Sequence, residues 1–135
     1  MNAIIVDTSA LYALADRNDP HHLRAAAFLR AQSGAHTLWV SNHVFDETMT
    51  LTKVRLGMHA CLQMGVRLRN SRLIDLVVFG QEEEQMTWRL FSQFTDKAWS
   101  YTDCASLALS QLRDVRQVFA FDHHFVQMGL RMLPE

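Results

Sequence analysis

The stretch Ile4-Ile5-Val6-Asp7-Thr8-Ser9-Ala10-Leu11 constrains this chain more than any other. Its apolar residues are largely β-branched and do not alternate with polar ones. That pattern belongs to a strand buried on both faces, as in the middle of a parallel sheet. The run stops at a carboxylate. Thr8 and Ser9 follow, one of them a helix cap, and then Leu11, Leu14 and Ala15 fall at helical spacing. Asp7 therefore stands at the carboxyl end of a core strand, where open α/β sheets bind their ligands. A charge in that position is unfavourable without a partner. The partner expected here is a divalent metal ion, shared with carboxylates from later in the chain.

The remaining pattern extends this start into a complete sheet. Met1–Val6 is the first strand and Thr8–Ala15 a short helix. A polar loop reaches Pro20, which opens a second helix that Ser33-Gly34 stops. Thr37–Val40 is a second strand. A third helix runs from Ser41-Asn42 to Leu56, and a fourth spans His59–Arg69 after Gly57. Leu73–Phe79 reads as strand three and Gln81 opens helix five, with Trp88, Phe91 and Phe94 as its apolar face. Asp96–Thr102 is a loop, Asp103–Leu112 a sixth helix and Gln117–Phe121 strand four. A helical turn over His123–Met128 precedes a last strand at Leu130–Leu133. Strands alternating with helices predict a mainly parallel sheet covered on both faces, an α/β/α sandwich. With 135 residues, no linker and no internal repeat, residues 1–135 are expected to form one domain.

Four acids fall at equivalent places in this scheme. Asp7 follows strand one, Glu47 lies in the first turns of the helix after strand two, Asp103 opens helix six and Asp122 follows strand four. If strands one and four are neighbours, all four meet at one end of the sheet. Packed carboxylates repel and need cations or protons to coexist. Oxygen-only ligands select hard ions, Mg²⁺ or Mn²⁺. Such an ion polarises phosphoryl oxygens and acidifies water, which is the chemistry of phosphodiester hydrolysis. Thr8, Ser9 and Thr102 add hydroxyls that can bind phosphate or orient a water. Any one aspartate after a strand is ordinarily a turn or cap residue; the combination carries the inference.

Composition narrows the alternatives. A net charge of −1 excludes coating of nucleic acid by bulk charge, though not a local basic groove. No apolar run approaches the roughly 20 residues that span a bilayer, and the start lacks the basic region of a secretory signal. Cys61 and Cys104 form neither a disulfide framework nor a metal spacing, so a cytoplasmic protein with reduced thiols is expected.

The segments Ile5-Val6-Asp7-Thr8-Ser9-Ala10-Leu11, Ser41-Asn42-His43-Val44-Phe45-Asp46-Glu47-Thr48, Asp96-Lys97-Ala98-Trp99-Ser100-Tyr101-Thr102-Asp103-Cys104 and Phe121-Asp122-His123-His124-Phe125 together resemble the PIN-domain nucleases. Within that family the resemblance is to the single-domain VapC-like ribonuclease toxins of toxin–antitoxin pairs. It covers essentially the whole chain. The resemblance implies strand order 3-2-1-4-5 and a metal-dependent endoribonuclease acting on RNA. It carries Asp7, Glu47, Asp103 and Asp122 over as metal-binding acids, with Thr8 and Thr102 as supporting hydroxyls. It also implies a homodimer and silencing by a cognate antitoxin protein.

Other residues weigh less. Lys53, Arg55, Arg67, Arg69 and Arg72 are five cations uninterrupted by an acid, either an RNA-backbone face or a solvated helical surface. His124 trails Asp122 but reads first as a capping or packing residue. Cys104 reads as a small apolar residue, Asp96 as a loop brace, and Asp16, Asp19 and Glu82–Glu84 as solvent-facing. A phosphorylated receiver-like domain would want an acceptor aspartate at the end of strand three and a lysine after a late strand. Asp75 lies inside strand three and no lysine follows Leu112. A housekeeping PIN nuclease, or a non-catalytic RNA-binding module on the same scaffold, remains as an alternative.

Overall fold

A computed structural model describes residues 2–32 and 34–135. The expectations that touch Met1 and Ser33 lie outside the described residues. β1 (Ala3–Val6) is the centre of a five-stranded sheet, with β2 (Thr37–Ser41), β3 (Ile74–Val77), β4 (Gln117–Phe119) and β5 (Arg131–Leu133). The order is β3-β2-β1-β4-β5, as the resemblance implied, and every pairing is parallel, as the alternation of strands and helices predicts. All four residues of β1 are buried. Ile4 and Val6 pack into one cluster with Ala10, Leu11, Leu38 and Val44, while Ala3 and Ile5 pack into another with Ala105, Leu109 and Val118. The non-alternating apolar run is thus explained: each face of β1 has its own core.

Helices cover both sides. α1 (Thr8–Ala15), α2 (His22–Ala31), α3 (Asn42–Leu56) and α4 (Met58–Asn70) contribute to the first cluster. α6 (Tyr101–Arg113) and α7 (His124–Gln127) contribute to the second, and α5 (Gln81–Gln93) packs on α6 through Leu90, Cys104, Leu107 and Ala108. α3 and α4 are divided at Gly57, whose φ of 92° is accessible to glycine and strained for other residues.

Two boundaries moved for reasons of capping. The cap of α1 is Asp7 rather than Thr8 or Ser9, because its side chain accepts the Ser9 N–H. α6 begins at Tyr101 rather than Asp103: Ser100 is the cap, and its hydroxyl and the Asp103 carboxylate form a reciprocal capping box. The apolar face assigned to α5 was also rotated. Its buried residues are Glu83, Thr87 and Leu90, with Phe94 against Trp99, whereas Trp88 is 61% exposed and Phe91 is exposed beside it. Glu83 and Glu84 are not free solvent-facing acids. Glu83 closes onto the Gly80 N–H at 2.6 Å and accepts from Arg113 at 2.7 Å, and Glu84 meets His43.

Phe119 ends β4 fully buried, with its ring 4.6 Å from that of Phe28. Phe119→Ala is expected to lower the stability of the fold by about 3–5 kcal/mol, read as a fall in the urea midpoint. A loss under about 1 kcal/mol would show that the layers collapse into the vacated space.

Candidate active site

At the carboxyl ends of β1 and β4 the surface opens into a cavity of about 730 Å³. Asp7, Glu47, Asp103 and Asp122 all line it. They come from four separate stretches of chain, brought together because β1 and β4 are adjacent and α3 and α6 start at the same edge. Thr8 lines the cavity as well. Thr102 does not; it faces an adjoining groove with Asp46 and Glu47, so Glu47 stands on the ridge between the two.

Asp7 is fixed by the end of its own strand. Its N–H donates to the Phe119 carbonyl at 2.9 Å, extending the β1–β4 pairing by one residue. Its carboxylate Oδ2 accepts from the Ser9 N–H at 3.0 Å and from the Ser9 hydroxyl at 2.7 Å. Ser9 Oγ in turn accepts the Phe121 N–H at 3.0 Å. One hydroxyl therefore joins the first acid to the segment that carries the last. Asp7 is only 3% exposed, and burial pushes its carboxyl up to about 6 against the lowering effect of the Ser9 donors. The charge of Asp103 pushes the same way.

Asp103 and Asp122 meet through His124. His124 Nδ1 lies 2.9 Å from Asp103 Oδ2 and 3.3 Å from Asp122 Oδ1. Ligand-type atoms of Asp103, Asp122 and His124 all lie within 4.8 Å of one another. Two carboxylates at that separation repel by on the order of 3 kcal/mol at an effective dielectric of about 20. The imidazole between them answers that repulsion, and its hydrogen bond to Asp103 raises its basicity, favouring the charged form. The capping or packing role expected of His124 is corrected accordingly: its side chain faces the acids. Asp122 does hold a local turn, accepting the His124 N–H at 3.0 Å.

The donor set suits a hard divalent cation. The acids offer oxygens, and Thr8 Oγ1 is buried without a hydrogen-bond partner at the same cavity. The Cys104 thiol is 1% exposed and is pushed up to about 11, mainly by burial, which rules it out as a nucleophile near neutral pH.

Further residues line the cavity. Asp19 and His21 lie on the wall, although Asp19 was read as solvent-facing. His21 stacks on Phe121 with centroids 4.4 Å apart and planes 5° from parallel. Nothing local in the sequence pairs residues 21 and 121. Arg55, one of the five cations singled out in the sequence, lines it too: Glu47, Leu51 and Arg55 recur every fourth residue on α3 and share one face.

The family model of the PIN domain matches residues 4–130. This chain belongs to the PIN-domain family. The PIN domain described here is 27% identical over 126 residues to the 23S rRNA-specific endonuclease VapC20 of Mycobacterium tuberculosis, covering 93% of this chain and 94% of that protein. It is 30% identical over 123 residues to the ribonuclease VapC26 of the same organism, covering 90% and 89%. Its fold superposes on the crystal structure of VapC20, described as a sarcin-ricin loop cleaving toxin, with a TM-score of 0.86 and 26% identity over 94% of this chain and 95% of that one. A chain in the promoter-bound VapBC2 complex of Rickettsia felis shares the fold at a TM-score of 0.74 with 10% identity, covering 96% of each chain.

The displaced titration of Asp7 has a sign that can be checked. Its carboxyl is raised from 3.8 to about 6, so the folded protein keeps a proton that the unfolded chain has released. Stability from this group is present in full below the unfolded value and is lost as pH rises through the folded one, a change on the order of 3 kcal/mol. In EDTA at pH 8, Asp7→Asn is expected to be more stable than the wild type by about 1–3 kcal/mol, since asparagine still caps α1. The advantage should vanish near pH 4; denaturant melts at both pH values decide it.

Proposed function

We propose that this PIN domain is a divalent-metal-dependent endoribonuclease, with Asp7, Glu47, Asp103 and Asp122 as its metal-binding acids and Mg²⁺ or Mn²⁺ as the ion. The observation that carries the reading is the gathering of these four acids from distant segments around one cavity, with Asp7 forced up by burial. A divalent cation among them would neutralise their charge, polarise a phosphoryl oxygen and acidify a water. The chain's own groups do the rest. Ser9 holds the Asp7 carboxylate in one orientation, and the capping box of α6 does the same for Asp103. The unpartnered Thr8 hydroxyl supplies a donor for a phosphate or water. Thr102 lines the adjoining groove with Glu47 rather than the cavity itself.

Phosphodiester chemistry is what the acids support; RNA as the substrate class is supported by relatives named as ribonucleases. Likeness to VapC proteins also supports a toxin's role, with a cognate antitoxin as partner. No helix among the described residues is long and apolar enough to cross a membrane.

The test is cleavage of total cellular RNA by the purified chain. EDTA is expected to abolish it, added Mg²⁺ or Mn²⁺ to restore it, and Asp7→Asn or Asp103→Asn to lower it by about a hundredfold or more. Mg²⁺ should raise the melting temperature of the wild type more than that of either variant. Full activity of Asp7→Asn, or in EDTA, would overturn the site. RNA binding with no metal-dependent turnover would favour the non-catalytic module. Growth arrest on expression, relieved by Asp7→Asn, separates a toxin from a housekeeping nuclease.

A further inference from the structure

The five cations between Lys53 and Arg72 do not act as one face. Arg72 lines a depression with Asn2, Thr37 and Leu73, at the amino ends of the strands and so opposite the acids. Arg67 and Arg69 sit in the last turn of α4. Arg55 alone of the five lines the acidic cavity, and it is the only arginine or lysine among the cavity's described residues.

Its setting is built rather than incidental. Arg55 continues the α3 stripe that begins at Glu47, eight residues and about 12 Å along the helix axis. Helical side chains lean toward the amino end, which tilts Arg55 back toward Glu47. Its Cζ stands 5.1 Å from the centroid of the Tyr12 ring. That ring is buried and pinned, with the phenol donating to Asp16 Oδ2 at 2.8 Å. A guanidinium over a fixed aromatic ring keeps its orientation; that of Arg55 also reaches the Tyr12 hydroxyl and acts on the Asp16 charge, which leaves only its remaining N–H donors for a ligand. Arg113 and Arg116 occupy theirs in ion pairs with Glu83 and Asp114. Among the described residues no carboxylate lies within 4.0 Å of a nitrogen of Arg55, although the cavity holds five acids: Asp7, Asp19, Glu47, Asp103 and Asp122.

An acidic cavity repels a polyanion, so a strand entering it needs a fixed cation at the wall. The geometry points to Arg55 as a substrate-binding residue that holds the RNA backbone, donating to non-bridging oxygens of a phosphate flanking the one at the acids. The inference rests on the ribonuclease reading and names the contact that positions its substrate. The contact is to phosphate, so it serves binding and register without selecting a base. Its alternative is a brace on Tyr12 and Asp16 with no part in binding.

The two roles separate by salt. Binding is measured by fluorescence anisotropy with a short labelled oligouridylate, on the full chain carrying Asp7→Asn so that the probe is not cut, in Mg²⁺. Loss of one phosphate contact to a single strand lowers the slope of log affinity against log salt by about 0.7. Arg55→Gln is expected to do this and to weaken binding about tenfold at low salt. Arg55→Lys should keep the slope and recover part of the affinity. Arg67→Gln, which removes an exposed cation away from the cavity, should change neither. An Arg55→Gln slope equal to that of the parent overturns the inference, whether or not affinity has fallen, because a lost brace weakens binding without changing the count of released ions. Should Arg55→Gln unfold, Arg55→Met, which keeps an apolar stem over Tyr12, takes its place. Cleavage of total RNA by the wild type is run alongside. With cleavage intact and the slope unmoved, only the role of Arg55 falls. Without cleavage, the nuclease reading falls and this inference with it.

Discussion

Everything at this site depends on a carboxylate held at the end of a strand that is buried on both faces. β1 has no solvent side, so Asp7 can reach water only through the cavity at its carboxyl end. That single placement has three consequences. It raises the proton affinity of the carboxyl, it makes Asp7 the cap of α1, and it requires another group to orient the side chain. Ser9 meets the last requirement and does more. By accepting from Phe121 it ties the end of β1 to the end of β4, and so sets where Asp122 enters. The two strands are adjacent in the sheet but more than a hundred residues apart in sequence, which is why a hydroxyl next to the first acid matters to the last.

The bland and the functional readings of these acids turn out to coexist. Asp7 caps α1, Asp103 closes the capping box of α6, and Asp122 holds the turn into α7. Each would have been explained by its local role alone. Capping uses only part of a carboxylate's capacity, since each oxygen has two lone pairs. The remaining capacity faces the cavity. A cap also fixes the side-chain rotamer, and a fixed rotamer lowers the entropy lost when a ligand is bound. The local bonds are therefore how the site is preorganised, not an alternative to it.

The fold was legible from Ile4-Ile5-Val6-Asp7 because an unalternating β-branched run has few other uses, and the acids were legible because each lies just after a strand or in the first turns of a helix. What stayed hidden follows from the same physics. The aromatics of α5 read as core or dimer surface; Thr87 and Leu90 form the core, while Trp88 and Phe91 are exposed on the surface of the chain. Thr102 was placed beside the acids by proximity to Asp103, yet successive helical residues point to different faces, and Thr102 turns into the next groove. His124 was underestimated because its partner Asp103 lies 21 positions away and no spacing rule connects them. Asp19 and His21 are contributed by a loop whose path periodicity does not reveal.

The positive charge at the cavity is divided between two places. Between Asp103 and Asp122 the space is small enough for one imidazole nitrogen to touch both, and an added lysine or arginine there would need its whole stem buried. At the wall the guanidinium of Arg55 lies against the ring of Tyr12. A compact charge suits the position between the two acids because the repulsion it relieves falls with distance. A long, flat, permanently charged group at the wall can reach a flexible, negatively charged chain arriving from solvent. The two are not interchangeable, because an imidazole loses its charge near neutral pH where a guanidinium keeps it.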